Sequence, residues 1–384
     1  MHTTLTEHVG SDVLIKPSPT AMVWPGPGHP HQAMAVPGVT LGAGDVLVEV
    51  ELATVCGSDV HTVLGRRDAA TPLVLGHEQV GRVVAVGGPV TAVDGTLLVA
   101  GMRVVWSVIV SCGSCDRCAA GLEQKCRRLA KYGHDRVHRG WELSGGFATH
   151  VEVLTGTAIV VVSETPPAEV FAPASCATAT AVAALDAVGR PLAGQAVFVT
   201  GAGMLGLTVA AIATDAGARV VVSDPDAGRR ALAMSFGAIA TVDPTAVGSG
   251  PVGGSVGQAS VEAAKLAAGV DGFPVAIEMS GAGAGVDAAI GSLGVGGTAV
   301  LVGSVFPGVP LAMDAERIVR NLLSVRGVHN YRAAHLARAV DFLTEAWRRY
   351  PFAELVGATL PLAEVDAALE LAAAGTHPRV ALRP

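Results

Sequence analysis

Hydrophobic and polar positions in the first part of the chain alternate in short runs, the period of two that is typical of half-buried strands. Residues 45–52 read Asp-Val-Leu-Val-Glu-Val-Glu-Leu, and residues 80–87 and 101–105 form further strand-like runs beside glycines. Six prolines between residues 17 and 37 keep the early connections irregular. The pattern therefore predicts an all-β, barrel-like opening domain.

From residue 177 the pattern changes to Ala-rich helical stretches that alternate with continuous apolar runs. The run at residues 196–200 is typical of a buried strand in a parallel sheet. Further strand-like runs follow at 219–224, 239–242, 275–279 and 298–303. Helical stretches lie between them at 207–216, 227–236, 261–268 and 285–293. This order predicts an α/β domain built on a doubly wound parallel sheet. Two more helices, at 333–347 and 362–374, and a last apolar run at 379–382 end the chain.

Composition narrows the class of protein. The chain has 384 residues, of which 50% are hydrophobic and 15% charged, with a formal net charge of −7. This length predicts two domains, each with its own core. No basic stripe suited to a phosphate backbone is visible, so we expect no nucleic-acid partner. No apolar run reaches the roughly 20 residues of a membrane span, and residues 1–12 do not resemble a secretory signal. We therefore expect a cytoplasmic protein with no membrane partner.

Four of the six cysteines fall within residues 112–126, in the spacing C-x2-C-x2-C-x7-C: Cys112, Cys115, Cys118 and Cys126. Disulfides would suit a secreted protein, but in a reducing cytoplasm this density indicates a metal site. Four thiolates at this spacing can close a tetrahedron around zinc with no open position, which is typical of a structural site. The alternative, free thiols beneath a loop, would be prone to oxidation beside basic residues.

A second set of candidate metal ligands is spread along the chain. Cys56 opens the stretch C-G-S-D-V-H, His77 lies in G-H-E, and Cys176 follows about a hundred residues later. Two thiolates and an imidazole are ligands that zinc prefers, and three protein ligands leave a fourth position for a substrate oxygen. The sequence therefore indicates an open, reactive metal site.

A glycine-rich turn joins the apolar run at 196–200 to the helical stretch that follows it. The positions expected to bind a dinucleotide are Gly201, Gly203, Met204, Leu205 and Gly206. Glycines let the backbone approach a pyrophosphate, and the helix N-terminus stabilises its charge. Asp224 ends the next run, where an acid accepts hydrogen bonds from the adenosine ribose. Asp224 also favours NAD over NADP, although Arg229 and Arg230 nearby leave NADP open.

These motifs occur in the order of a known family. C-x-S-D-x-H, G-H-E, the four-cysteine lobe, G-G-F-A at 145–148 and the glycine turn together resemble the zinc-dependent alcohol dehydrogenases of the medium-chain dehydrogenase/reductase family. The resemblance implies a GroES-like β-barrel catalytic domain over 1–176 and 330–384, with the structural zinc lobe at 112–126. It implies a Rossmann cofactor domain over 177–329. It further implies two zinc ions per chain, NAD, a small alcohol or carbonyl substrate, and a homodimer or homotetramer paired through strand 298–302 or its neighbour.

The resemblance also assigns roles to single residues. Cys56, His77 and Cys176 match the ligands of the catalytic zinc, and Glu78 matches an acid behind the metal or transiently on it. Cys176 could instead be only a small buried residue. Asp59 matches the acid that orients His77.

The proton relay and the cofactor contacts follow from the same match. Ser58 and His61 match a relay that carries a proton from the substrate oxygen to solvent. Ser58 as a helix cap and His61 as a surface histidine are the alternatives. Thr180 matches a residue near the nicotinamide, and Arg379 matches a basic residue that contacts cofactor phosphate, unless it is an ordinary surface arginine.

The favoured function is hydride transfer between an alcohol, or its aldehyde or ketone, and NAD. The alternatives are an NADP-linked carbonyl reductase and a non-catalytic zinc-stabilised dinucleotide-binding protein. Residues 131–134 and 174–180 also resemble a subgroup proposed to act in phosphonate catabolism, and the basic run 131–139 would suit an anionic substrate if it lines the substrate mouth. Residues 244–260 are Gly- and Ser-rich, which predicts a flexible surface insertion.

Overall fold

The fold is described by a computed structural model that covers residues 5–9, 12–246, 256–306, 310–311 and 313–384. Within 5–9 and 256–257 the description extends to the backbone alone. Of the flexible insertion predicted at 244–260, residues 247–255 lie outside the described residues. Residues 256–260 are helical instead, because α7 (Val256–Ala268) begins five residues before the predicted helix.

The strands follow the apolar runs of the sequence. In chain order they are β1 (Leu5–Val9), β2 (Asp12–Lys16), β3 (Thr20–Trp24), β4 (Gln32–Ala35), β5 (Gly38–Thr40), β6 (Val46–Thr54), β7 (Leu73–Val74), β8 (Gln79–Val86), β9 (Arg103–Val110), β10 (Ala130–Lys131), β11 (His150–Val153), β12 (Thr157–Val161), β13 (Ala196–Thr200), β14 (Arg219–Ser223), β15 (Ala240–Val242), β16 (Phe273–Glu278), β17 (Leu293–Leu301), β18 (Ser324–Gly327), β19 (Val356–Pro361) and β20 (Arg379–Arg383).

The helices lie mainly in the second half of the chain. They are α1 (Gly57–Val63), α2 (Asp116–Ala119), α3 (Ala168–Phe171), α4 (Ala177–Asp186), α5 (Met204–Asp215), α6 (Ala227–Ser235), α7 (Val256–Ala268), α8 (Gly283–Gly291), α9 (Ala315–Arg320), α10 (Ala333–Ala346) and α11 (Val365–Ala373). Short 3-10 helices are Glu123–Lys125, Ala172–Ser175, Phe352–Leu355 and Leu362–Glu364.

The chain divides into two units. The first consists of the described residues up to Ala179 together with Arg332–Trp347 and Phe352–Pro384. The second consists of the described residues of Thr180–Tyr331 together with Arg348–Pro351. The short return of Arg348–Pro351 has no counterpart in the sequence prediction. It is held within the second unit because Arg349 pairs with Asp215 at 2.6 Å and the Tyr350 ring stacks on Phe236.

The first unit is built on an eight-stranded sheet of order β10-β9-β8-β6-β20-β19, with β11 paired to β6 and β12 paired to β9. The central strand β6 keeps the predicted alternation only in its middle, where Glu49 is exposed and Glu51 is partly buried; the three residues at each end of the strand are all buried, because both faces of the strand are covered there. The last strand, β20, lies antiparallel beside β6, with Ala381 opposite Thr54. The end of the chain therefore completes the sheet that its first hundred or so residues begin.

The second unit has a six-stranded parallel sheet of order β15-β14-β13-β16-β17-β18, with helices between successive strands. All residues of β13 are buried, as expected for a central parallel strand. A core including Phe198, Phe273 and Leu293 packs against it. These features and those of the first unit confirm the predicted fold class, a GroES-like β domain with a Rossmann-type parallel-sheet domain.

Several boundaries differ from the prediction. Helix α5 begins at Met204 rather than at residue 207, because Gly203 already serves as its N-cap. Strand β17 begins at Leu293 rather than at residue 298, because Leu293 pairs with Phe273 of β16. The prediction named strand 298–302 or its neighbour as the edge of the sheet. The neighbour, β18, is the edge strand on that side. The local pattern of apolar residues cannot show which distant segments pair as strands, so it does not fix where those strands end.

Among the described residues, no single helix has both the length and the apolar character needed to cross a membrane. One bent pair, Ala168–Ser175 followed by Ala177–Asp186 at an angle of 55°, meets the criterion by length and composition alone.

Candidate active site

Three side chains from distant parts of the first unit meet at one point. Cys56 is the N-cap of α1, His77 follows β7, and Cys176 precedes α4. One potential ligand atom from each lies within 4.8 Å of the other two, and the two sulfurs are 4.0 Å apart. Cys56 and His77 are buried, and Cys176 is partly exposed. This spacing suits ligands that share one metal ion.

Asp59 connects two of these residues from behind. The Cys56 N–H donates to Asp59 Oδ2 at 2.9 Å, and Asp59 Oδ1 lies 3.4 Å from His77 Nδ1. The Ser175 hydroxyl donates to the His77 carbonyl at 3.1 Å. With Nδ1 turned to a carboxylate, the Nε2 atom of His77 is the one directed at the sulfurs, the arrangement that a metal-binding histidine needs.

The electrostatics of the three residues fit a cation between them. The hydrogen bond with Cys176 holds the pKa of the Cys56 thiol well below its usual range, against the effect of burial. The same contact, with burial, raises the pKa of the Cys176 thiol well above its usual range. Burial lowers the pKa of His77, but Asp59 and the Cys56 sulfur outweigh burial and raise it overall. Two buried sulfurs that compete for one proton would both ionise beside a divalent cation.

Arg379 lies behind the three residues and is buried. Its Nε and Nη2 atoms donate to the two carboxylate oxygens of Glu78 at 2.8 and 2.9 Å, and Thr54 Oγ1 donates to Glu78 Oε2 at 2.7 Å. Arg379 is 7% exposed and Glu78 0%. The alternative of an ordinary surface arginine is therefore wrong, because the guanidinium binds a buried carboxylate that compensates its charge. Contact between Arg379 and cofactor phosphate stays a prediction.

Glu78 does not join the group of ligand atoms formed by Cys56, His77 and Cys176. Burial raises the pKa of Glu78, while Arg379 opposes that rise. Arg379 binds both oxygens of Glu78 in this structure, and transient binding of this carboxylate to the metal stays a prediction. The acid behind the metal is the alternative that agrees with the geometry.

Ser58 and His61 both lie on α1. The Ser58 hydroxyl is 3.2 Å from His77 Nε2, the nitrogen that faces the sulfurs. The N-cap of α1 is Cys56, so the alternative reading of Ser58 as a cap is wrong. His61 is half-buried three residues later, and burial lowers its pKa. Residues three apart share one face of a helix, so both side chains lie on the same side of α1.

The run 131–139 divides into two parts. The His134 ring lies 4.7 Å from the His77 ring, centroid to centroid, and His134 Nδ1 donates to the Tyr132 carbonyl at 2.9 Å. Burial and then the charges of His77 and Arg67 lower the pKa of His134 well below its usual range. Burial lowers the pKa of Lys131, followed by Arg67, while the Cys176 sulfur acts in the opposite direction. The second part of the run, 136–139, is largely exposed.

The four cysteines of the lobe also lie together. The sulfurs of Cys112, Cys115, Cys118 and Cys126 all lie within 4.8 Å of one another. Three of the sulfur–sulfur distances measure 3.4 to 3.9 Å. A backbone N–H from Ser114 and the Cys126 sulfur lower the pKa of Cys112 to about 5. Desolvation and the neighbouring sulfurs raise that of Cys118 to about 12. The thiols thus compete for protons, which a bound zinc ion would relieve.

The glycine turn has the shape that a pyrophosphate needs. A side chain at Gly206 would collide with the Gly201 carbonyl, so the third glycine permits close packing of α5 on β13. A Cβ at Gly203 would meet no atom within 4 Å, which leaves open space at the N-terminus of α5. Met204 and Leu205 form the first turn of that helix, whose amides and dipole favour an anion.

Asp224 lies beside this turn and is buried. Its Oδ2 accepts the Ala202 N–H at 2.7 Å, and its Oδ1 accepts the Asp226 N–H at 2.9 Å. Arg230 donates to the Asp224 carbonyl and pairs with Asp243 at 3.1 Å. Arg229 lies in the first turn of α6. In the same unit, Thr180 is buried in α4.

Sequence reasoning missed two supporting residues, Thr54 and Ser175, and also missed that Arg379 pairs with Glu78. One signal was available for Arg379, which stands in an apolar run at the end of the chain. An arginine in a buried strand requires a buried acid nearby. Thr54 and Ser175 gave no signal. A hydroxyl that hydrogen-bonds to a distant residue cannot be distinguished in the sequence from one that faces solvent.

Comparisons with known proteins agree with this geometry. Residues 42–163 match the family model described as alcohol dehydrogenase GroES-like domain, and residues 205–345 match that described as zinc-binding dehydrogenase. An L-threonine 3-dehydrogenase of Streptomyces coelicolor is 31% identical over 81% of this chain and 84% of its own length. A second, from Anaeromyxobacter dehalogenans, is 33% identical over 77% and 78%.

Solved structures are similar over nearly the whole chain. An alcohol dehydrogenase from Thermotoga maritima has 29% identity and a TM-score of 0.86, over 96% of this chain and 99% of its own. A zinc-binding dehydrogenase from Sinorhizobium meliloti 1021, bound to NADP, has 28% identity and a TM-score of 0.80 over the same shares. The chain belongs to the zinc-dependent medium-chain dehydrogenase/reductase family. It is an oxidoreductase that uses zinc and a nicotinamide dinucleotide on a small-molecule substrate.

Proposed function

We propose that the protein catalyses hydride transfer between an alcohol and NAD, with Cys56, His77 and Cys176 as the ligands of a catalytic zinc ion. The observation that carries this proposal is the convergence of two sulfurs and an imidazole within 4.8 Å from three distant segments. When bound, zinc supplies a Lewis acid for the substrate oxygen, and the nicotinamide supplies the hydride acceptor or donor. Three protein ligands leave the substrate a place on the metal.

Ser58 and His61 carry the proton in this proposal. The Ser58 hydroxyl is within hydrogen-bond reach of the metal-facing nitrogen of His77, so it can also reach a substrate oxygen there. His61 lies on the same side of α1, and an imidazole exchanges protons near neutral pH. Asp59 holds His77 in the tautomer that presents Nε2.

A second zinc ion is proposed in the four-cysteine lobe, where it would have a structural role. Elemental analysis of the purified protein should then give about two zinc ions per chain. Cys176→Ala and Cys118→Ser should each lose about one, from different sites. Alcohol oxidation should disappear in Cys176→Ala while its circular dichroism stays that of the wild type. Full activity in Cys176→Ala would overturn the assignment of the catalytic site.

NAD is the proposed cofactor. Asp224 would repel a 2′-phosphate, and Arg230 is engaged by Asp243 instead of being directed to such a group. The ratio of kcat/KM for NAD over NADP should therefore exceed one, and Asp224→Asn should lower that ratio about tenfold or more. A preference for NADP in the wild type would contradict this assignment. Arg229→Gln tests the remaining arginine, and its removal should leave the use of NAD unchanged.

An alcohol with an anionic group is a second candidate substrate class. Arg67, Lys131 and His134 act electrostatically on one another, and Lys131 also acts on the Cys176 sulfur. Cationic groups beside the ligands would attract a carboxylate or phosphonate. The relatives named L-threonine 3-dehydrogenase act on a substrate that bears a carboxylate.

A panel of alcohols with and without a carboxylate or phosphonate, L-threonine included, separates the two substrate classes. We expect Lys131→Met to raise the KM of anionic alcohols about tenfold and to leave that of neutral alcohols unchanged. Arg136→Met, in the exposed part of the same run, is the matched control. Equal effects of Lys131→Met on neutral and anionic alcohols would count against an anionic substrate.

The chain is also proposed to form a homodimer or homotetramer through the second unit. The proposed location is the cytoplasm, where exposed thiols stay reduced. Three apolar side chains are exposed near the edge of the parallel sheet: Val295, Val319 and Leu322. They lie close together because the Gly296 N–H donates to the Asn321 carbonyl at 2.8 Å. An exposed apolar patch beside an open strand edge favours pairing. Val319→Lys should shift the mass measured by light scattering toward the monomer, whereas Leu266→Lys on α7 should not.

A further inference from the structure

The first unit contains a polar cavity that the proposed function does not use. Its volume is about 240 Å³, and it lies between β5, the segment before β11, and β11 itself. Its lining residues are Val36, Gly38, Val39, Thr40, Arg139, Gly140, Glu142, Leu143 and Glu152.

Glu152 is the unusual residue of this cavity. Val151 and Val153 of β11 point into the main core, so Glu152 points to the opposite face, where it lines the cavity. It is only 4% exposed. Within the part of the chain that the structure describes, no side chain or backbone group donates a hydrogen bond to its carboxylate, and no cation pairs with it. A buried carboxylate without a partner is costly, so a ligand in the cavity would stabilise it.

The surroundings of Glu152 are negative. Burial raises its pKa to about 8, and the charges of Asp45 and Glu142 add to this effect. Asp45 is already engaged, since its two oxygens accept the N–H groups of Gly42 and Thr155 at 2.9 and 2.8 Å. Glu142 uses one oxygen, Oε2, for the Gly140 N–H at 3.0 Å, which leaves the other. Arg139 also lines the cavity but is not among the charges that set the pKa of Glu152.

We propose that this cavity binds a hydrated divalent cation of the Mg²⁺ type, held by the carboxylates of Glu152 and Glu142. Magnesium keeps several of its waters and needs one or two carboxylates, which suits a polar cavity of this volume. Among the described residues, the groups of three or more side chains set to share a metal ion are the two sulfur-containing ones. The ion in this cavity therefore completes its shell with water and backbone oxygens.

Such an ion would add a polar link between segments that already share a hydrophobic cluster, in which Val39 of β5 and Leu143 are buried together. Glu142 precedes β11 by several residues, and the cavity wall on the other side is β5. Binding would therefore stabilise this corner of the first unit and raise the unfolding temperature with increasing cation concentration. Catalysis at the cysteine and histidine ligands would not depend on it.

Titration calorimetry of the zinc-loaded protein with MgCl₂ tests the proposal, because Mg²⁺ prefers oxygen ligands to the thiolates of the two sulfur sites. We expect one site per chain with Kd on the order of 10⁻⁴ to 10⁻³ M. Glu152→Gln should weaken binding at least tenfold, and Glu142→Gln should weaken it less. Glu354→Gln, an exposed carboxylate in the same unit, is the control and should bind as the wild type does.

The pH dependence gives a second readout. Glu152 must lose its proton to bind the ion, so affinity should increase as the pH rises from about 7 to about 9, with proton release. Asp45 and Glu142 act on the same carboxylate, and their charges favour a bound cation beside it. Absence of binding up to about 20 mM Mg²⁺, or equal binding by the wild type and Glu152→Gln, would overturn the proposal.

Discussion

The two sulfur-containing sites are built in opposite ways. The four cysteines of the lobe come from one stretch of chain, 112–126, and several of them are partly exposed. Cys56, His77 and Cys176 come from three segments and are supported by a buried layer in which Arg379 binds Glu78. The lobe needs only its own loop to bring its ligands together. The other site needs the whole first unit.

The ion pairs beside the two sites show the same contrast. In the lobe, Arg127 forms a two-pronged contact with Asp116 at 2.6 and 2.7 Å, and both side chains are more than half exposed. Behind the other site, Arg379 and Glu78 form a similar contact with almost no exposure. Water screens the exposed pair of Arg127 and Asp116, so that pair contributes little to stability. Removing Arg379 or Glu78 would leave the other charge buried without a partner or water, which is strongly destabilising. The comparison teaches that the reactive site depends on buried charge and the lobe does not.

The largest expected effect separates the sites by activity. Cys176→Ala removes a proposed ligand of the open site, and we expect kcat/KM for alcohol oxidation to fall roughly 10³-fold or more. Cys118→Ser should lower the unfolding temperature but keep substantial activity in the protein that remains folded. Steady-state kinetics beside thermal unfolding measure both. A larger activity loss in Cys118→Ser would reverse the proposed division between a catalytic and a structural site.

Arg379→Met tests the buried pair. It leaves the Glu78 carboxylate buried with only Thr54 as a partner, and we expect a loss of about 3 to 5 kcal/mol in the free energy of unfolding. Arg127→Met in the lobe should cost less than about 1 kcal/mol. Urea unfolding of both variants gives the comparison. The double variant Arg379→Met with Glu78→Gln should recover part of the loss, and failure to do so would show that packing rather than charge is responsible.

Asp59→Asn should have a smaller effect, on metal affinity. The amide keeps a similar shape but no longer offers the charge that orients His77, so zinc affinity at the open site should fall about 10- to 100-fold. Competition with a chelator measures this, with the four-cysteine lobe as an internal reference whose zinc should be released as in the wild type. Equal zinc release from both sites would contradict the role of Asp59.

The smallest effect is a pH dependence in Arg379→Met. Burial raises the pKa of Glu78 above its ordinary 4.5, and Arg379 opposes the rise, so the variant should raise it further. An acid with a raised pKa binds its proton more tightly in the folded state, so its contribution to stability falls as the pH rises from 4.5 toward the folded pKa. The variant should therefore lose less stability at about pH 5.5 than at about pH 8.5. Urea unfolding at both pH values measures the difference, and a loss independent of pH would contradict the cause.

Much of the fold follows from local pattern. The apolar and acidic residues of β6, the continuous apolar run of β13 and the glycine turn before α5 all predicted their elements, although burial in β6 alternates only in the middle of the strand. The ends of elements were less predictable. Leu293 extends β17 only because Phe273 lies beside it, and no local signal reports that pairing.

The sequence alone determined the residue types and spacing of the chemistry: the cysteines of the lobe, the scattered candidate ligands Cys56, His77 and Cys176, and the glycines before α5. These depend on bond-forming preference and local geometry, which the order of residues carries directly. Only the tertiary structure decided that Arg379 binds Glu78, that Ser175 supports His77, and that Glu152 faces a cavity without a partner. A buried charge acquires its role from the groups that surround it, and those groups come from distant segments of the chain.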